Sequence, residues 1–258
     1  MNARSVLLLV ALLAAPWPFI FADNRTDEWI GKARSAVGSE SALSAITSVR
    51  FIGTVETIQK TPSKDDPTKT VDVTIRLAID TCFQKPYRQK IILRTDKSVE
   101  NTVLDGYDGW FRRTEVGNEK DAQVALLESG QIKRLRANAW EHLSFYRGIE
   151  DRGGRVSYQG EADVEGKNCV IIVFAHSDTI SFTRYFEKET GRLIKTVTEN
   201  GGEIREQGEM MVNGIRYPKA LINKAPDGQT AIITFDSIKV NEPLPAAEFA
   251  IPDTMMGR

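Results

Sequence analysis

Residue types that most often carry catalytic or redox chemistry are scarce in this chain of 258 residues, which has only two histidines and two cysteines. His142 and His176 lie far apart and lack the spacing of metal ligands. The sequence also has no Gly-x-Ser-x-Gly elbow, no Walker-type phosphate loop and no dinucleotide fingerprint. We therefore expect two packing or surface histidines, no cofactor or metal, and no enzyme activity.

The chain has no excess of charge of either sign, since its formal net charge is -1. A nucleic-acid backbone requires a basic face, so nucleic acid is not an expected partner. The densest basic stretch, Lys133 to Arg136, is followed by the aromatic residues Trp140 and Phe145. Such a stretch either touches anionic lipid or forms the solvated face of a helix, and the second interpretation is favoured because amphipathic helices are common.

Cysteine pairing stays open at this stage. Cys82 and Cys169 both lie in strand-like segments. An oxidising compartment would let them pair, whereas a free cysteine in a strand behaves as a small buried hydrophobe. No Cys-x-x-Cys spacing indicates a redox or zinc site.

Long apolar runs are also missing, apart from one near the start. Residues 5–15 are almost entirely apolar, follow the basic start Met-Asn-Ala-Arg and precede Pro16. This pattern predicts a signal peptide over residues 1–22, cleaved after Ala22, and a single mature domain over residues 23–258 that works outside the cytoplasm. A membrane anchor is the weaker alternative, because the run is short for a bilayer span.

Alternation of apolar and polar residues dominates the remaining sequence. Helical spacing is confined to a helix ending at Gly38, a short helix that starts at Ser39 or Ser41, and the segment Asp121 to Phe145, which Gly130 divides. Strand patterns separated by glycine-containing turns fill the rest, including the turn Asp105 to Gly109. The predicted fold is mainly β (α+β): one antiparallel sheet whose apolar face is covered by helices.

Several stretches together resemble the LolA/LolB-like superfamily of outer-membrane lipoprotein-sorting proteins and lipoprotein carriers. They are Gly38 to Val55, Pro86 to Arg88, Asp105 to Trp110, Tyr185 to Leu193, Gly214 to Pro218 and Val240 to Pro252. The resemblance covers most of the mature chain and implies an open, curved antiparallel half-barrel lidded by helices, whose apolar face receives acyl chains.

The resemblance therefore implies a non-enzymatic carrier or binder of lipids or lipidated proteins, with acyl chains as ligands and membrane sorting proteins as further partners. We expect it to be a monomer. Candidate lining residues lie on apolar faces of predicted strands and helices, where ordinary core packing is the alternative for each. They are Phe51, Val73, Ile75, Leu77, Ile91, Leu93, Trp110, Trp140 and Phe145.

Two other functions remain open. Divergent members of this superfamily serve as envelope-stress sensors or protein-binding scaffolds, so the fold does not determine the function. A hydrolase is the weakest hypothesis, because no spacing places an acid, base and nucleophile together.

Overall fold

Three α-helices cover one large sheet. The computed structural model describes residues 24–63, 66 and 68–251, so the predicted signal peptide lies outside the described residues. The helices are α1 (Asn24–Val37), α2 (Glu40–Ser44) and α3 (Ser129–Ser144). Ser39 caps α2 by accepting a hydrogen bond from the backbone N–H of Ala42, which confirms the predicted start of this helix.

Fifteen strands are described, and most are joined by short hairpins. The first eight are β1 (Ser48–Pro62), β2 (Thr70–Gln84), β3 (Arg88–Arg94), β4 (Ser98–Asp105), β5 (Asp108–Glu115), β6 (Asn118–Leu126), β7 (Arg155–Val164) and β8 (Lys167–Ser177). The other seven are β9 (Ile180–Glu187), β10 (Leu193–Thr198), β11 (Glu203–Gln207), β12 (Met210–Val212), β13 (Ile215–Tyr217), β14 (Ala220–Lys224) and β15 (Thr230–Val240). The predicted turn after Asp105 is confirmed as the two-residue connection between β4 and β5.

Thirteen strands form one antiparallel sheet in the order β6-β5-β4-β3-β2-β1-β15-β14-β11-β10-β9-β8-β7, and β12 pairs with β13 separately. The two ends of this order, β6 and β7, do not pair with each other among the described residues, so the sheet is an open half-barrel. This confirms the predicted fold class. The pairing of β1 with β15 joins the first and the last described strands within the sheet.

The helix predicted over Asp121 to Phe145 is too long at its start. Residues 118–126 form β6 instead and pair with β5 after a turn at Gly117, because the hairpin partner determines the structure of this polar segment. Gly130 lies in the first turn of α3 and does not divide the helix.

Helix α3 packs on one face of the sheet, which we call the inner face and which carries Phe51 and Phe83. At one side of α3, Phe51 and Phe83 pack with Leu143; at the other, Trp140 packs with Ile172 of β8. None of the described helices is long and apolar enough to span a membrane.

Candidate binding site

A cavity of about 400 Å³ lies between α3 and the inner face of the sheet. We call it the inner cavity. Strands from both halves of the half-barrel contribute to its wall, and α3 contributes Asn138, Glu141 and His142. A volume of this size is within the range of small-molecule sites in proteins, about 300–1,000 Å³.

Apolar side chains form much of the wall. Ile79 and Ile91 lie on the neighbouring strands β2 and β3, and Ile233 and Phe235 lie on β15. Directly paired residues in antiparallel strands share a face, so Phe51 and Ile91, both aligned with Thr81, point to the same side. This side of the cavity can hold a hydrocarbon chain.

The wall also contains a buried ionic cluster. Glu141 on α3 receives a hydrogen bond from His176 Nε2 at 2.7 Å and forms an ion pair with Arg184 on β9. Burial opposes ionisation of Glu141, but the charge of Arg184 and the hydrogen bond from His176 outweigh it and lower the pKa of this carboxyl. Glu141 is therefore an ionised side chain beneath the helix.

A second acidic side chain of the wall, Glu206, has a pKa shifted in the opposite direction to that of Glu141. Glu206 on β11 is close to Arg216, with 3.5 Å between Oε2 and Nη1. Burial raises the pKa of Glu206, and the attraction of Arg216 offsets this only in part. His142 stacks on Phe83 with 4.1 Å between ring centroids, and burial lowers its pKa to about 4, so its ring is neutral at pH 7.

Several buried polar atoms of the wall have no hydrogen-bond partner in the part of the chain that the structure describes. They are Thr81 Oγ1, Gln89 Oε1, Asn223 Oδ1 and the Nε and Nη1 atoms of Arg184. Buried polar groups are rarely left unpaired in native proteins. A concentration of such atoms around one cavity therefore favours a ligand that carries polar groups as well as an apolar chain.

The predicted lining residues fall into several groups. Phe51 and Ile91 line the inner cavity, and Phe145 lines an adjoining cavity of about 120 Å³. Leu93 pairs with the lining residue Ile79 and shares its face.

Three predicted residues of β2 extend the inner face beyond the cavity. Leu77, Ile75 and Val73 alternate with polar residues in the same register as Ile79, so they lie on the inner face towards the β1–β2 turn. Beyond Thr57 and before Ala78, β1 and β2 pair only with each other in the described sheet. We call this projecting hairpin the β1–β2 arm.

Both predicted tryptophans lie away from the inner cavity. Trp110 is on the outer face, where it packs with Cys82 and Phe249, and its Nε1 donates to the Phe249 carbonyl at 3.3 Å. The period-two pattern could not reveal this position, because the strand is apolar on both faces at this point. Trp140 packs against α1 and β8 on the other side of α3.

The sequence interpretation missed the ionic cluster. It gave His176 no partner, whereas the fold brings Glu141, His176 and Arg184 together from one helix and two strands. No local motif indicates this contact, because it depends on how α3 crosses the sheet. Among the described residues, no group of three or more acidic, histidine or cysteine side chains could hold a metal ion.

The basic stretch of α3 has its own contacts outside the inner cavity. Arg134 pairs with Glu199, and the guanidinium of Arg136 lies between the rings of Tyr87 and Tyr107 at 3.9 and 3.8 Å. In the stretch itself Lys133 is exposed, Arg134 and Arg136 are half-buried and Leu135 is buried.

Comparison with known proteins identifies a fold. A LolA superfamily protein from Nitrosomonas europaea superposes with a TM-score of 0.58 at 9% identity, covering 88% of this chain and 97% of that chain. A DUF1329 family protein from Desulfovibrio piger gives a TM-score of 0.54 at 11% identity, covering 87% and 97%. No family model matches the chain, and no curated protein matches it. The chain thus has a LolA-like fold, which confirms the resemblance seen in its motifs.

Proposed function

We propose that this protein is a non-enzymatic carrier or binder of lipids or lipidated proteins in the periplasm. The observation that carries the proposal is the inner cavity of about 400 Å³, which lies between α3 and the sheet of the half-barrel. Each methylene of an acyl chain that leaves water contributes about 0.8 kcal/mol, so an apolar wall binds such a chain without a catalytic group.

The β1–β2 arm supports the same proposal. Its inner face continues the apolar wall from Ile79 through Leu77 and Ile75 to Val73, and Val73 is 40% exposed. An acyl chain longer than the cavity would extend along this apolar strip. Of the nine predicted lining residues, Trp110 and Trp140 have no part in the proposed site.

Two neighbouring isoleucines on β15 provide a matched test. Ile233 lines the inner cavity, whereas Ile232 points to the outer face and is 38% exposed. We expect Ile233→Trp to abolish uptake of a fluorescent acyl probe and Ile232→Trp to leave it unchanged. Native mass spectrometry of protein purified from a Gram-negative periplasm, followed by lipid extraction, should show a bound lipid. A protein that carries no lipid and takes up no probe would refute the proposal.

Export is a separate part of the proposal. Processing after Ala22 follows from the basic start and the apolar run. N-terminal sequencing of the exported protein should find Asp23 first, whereas a chain that retains residues 7–13 would be tethered to the membrane.

A protein-binding scaffold or envelope-stress sensor is the second candidate, and the β1–β2 arm favours it. Ile58 is 53% exposed and Val71 is 44% exposed, on strands that have no further neighbours in the described sheet. Strands with free edges and exposed apolar side chains are suited to pairing with another protein. Affinity capture of a stoichiometric protein partner from a lipid-free preparation would favour this candidate.

A further inference from the structure

The inner cavity has a positively charged group at its buried wall that the apolar-chain proposal leaves unused. Arg184 is only 7% exposed and lines the cavity. Its Nη2 atom pairs with Glu141, while Nε and Nη1 have no hydrogen-bond partner among the described residues. A buried guanidinium with free donors is a favourable site for a negatively charged or strongly polar ligand group.

Aromatic rings hold the Arg184 guanidinium in place. Its central carbon lies 4.8 Å from the ring centroid of Phe174 and 4.9 Å from that of Tyr146. These rings exclude water and fix the orientation of the donors, which strengthens any hydrogen bond that a ligand makes there.

The cavity volume of about 400 Å³ is near the lower end of the range for small-molecule sites and is sufficient for one hydrocarbon chain.

We propose that the inner cavity binds a single-chain amphiphile with a carboxylate end, such as a free fatty acid, whose carboxylate is held by Arg184 and whose chain lies on the apolar wall of β1 to β3. This inference rests on the proposed function, since it identifies the ligand class of the same cavity.

A series of three ligands with the same chain tests the proposal on the unaltered protein. Lauric acid, lauryl alcohol and methyl laurate are each used to displace a fluorescent acyl probe at neutral pH. We expect the acid to bind at least about tenfold more tightly than the alcohol or the ester, because only the acid forms charged hydrogen bonds with the guanidinium. Equal affinities would overturn this inference and leave the acyl-chain function intact, whereas no displacement by any of the three would overturn both.

A double variant tests whether Arg184 causes the preference for the acid. Arg184→Gln together with Glu141→Gln removes both charges of the pair, so that neither is left alone. We expect this variant to lose the preference for the acid and to bind the alcohol unchanged. The control is Arg192→Gln with Glu209→Gln, which removes an ion pair whose side chains are 48% and 41% exposed and should keep the preference. A double variant that still prefers the acid would overturn the assignment to Arg184.

Discussion

His176 on β8 donates a 2.7 Å hydrogen bond from Nε2 to Oε1 of Glu141 on α3, and Arg184 on β9 pairs with the other oxygen of the same carboxylate. One side chain thus fastens the covering helix to two adjacent strands. The Glu141 side chain is only 9% exposed, so both interactions are made away from water.

Replacement of Glu141 by leucine should lower the free energy of unfolding by about 3–5 kcal/mol, because it leaves the Arg184 guanidinium buried without its partner. Urea denaturation followed by circular dichroism measures the change. The matched control is Glu209→Leu at an exposed ion pair, where we expect a change of at most about 1 kcal/mol. Similar losses in the two variants would contradict a stabilising role for the buried cluster.

Stability should fall as the pH is lowered from 6.5 towards 4. His142 has a folded pKa of about 4 against 6.5 for the free side chain, so the unfolded chain binds a proton that the folded chain excludes. The contribution of His142 to the free energy of unfolding is complete above pH 6.5 and declines by up to about 3 kcal/mol as the pH falls towards 4. The His142→Gln variant should show a flatter dependence over this range in urea denaturation. An identical pH profile in the two proteins would show that His142 titrates normally.

Replacement by alanine should have opposite effects on stability at Gly53 and at Gly31. A Cβ at Gly53 of β1 would lie 1.9 Å from the carbonyl oxygen of Thr234, at a point where the register between β1 and β15 shifts. We expect Gly53→Ala to destabilise the protein by about 2–3 kcal/mol. Gly31 in α1 has open space around it, so Gly31→Ala should stabilise by about 0.5–1 kcal/mol. Thermal unfolding of both variants measures the contrast, and a tolerated Gly53→Ala would contradict the close approach of the strands.

Both cysteines should be free thiols that resist alkylation in the folded protein. Cys82 on β2 and Cys169 on β8 are buried and unpaired, and burial raises the pKa of Cys82 to about 11. Because the thiolate is the reactive form, modification should be slow until denaturant is added. Mass spectrometry after alkylation, with and without denaturant, counts the accessible thiols. If the two cysteines stay unmodified in denaturant and become modified only after a reductant is added, they form a disulfide.

Periodicity predicted the strands and the fold class because a half-buried sheet imposes alternation on its sequence. It placed Phe51 and Ile91 on the same face of the sheet for the same reason. It failed at residues 118–126, where a polar strand is determined by its hairpin partner, and at Trp110, where the outer face is covered by the segment around Phe249. Periodicity could not predict the ionic cluster, because residues 141, 176 and 184 come into contact only through the packing of α3 on the sheet.

The pairing of β1 with β15 has a consequence for the order of folding during synthesis. Val49 of β1 pairs with Val240 of β15. The two halves of the sheet can therefore join only after the last described strand has been synthesised. Hairpins of each half can form early from local contacts, whereas the central seam requires a loop of almost the whole domain to close. Until β15 is synthesised and in place, the edges of β1 and β14 that pair with it stay exposed. A chaperone that binds β-strand edges would protect the chain at this stage.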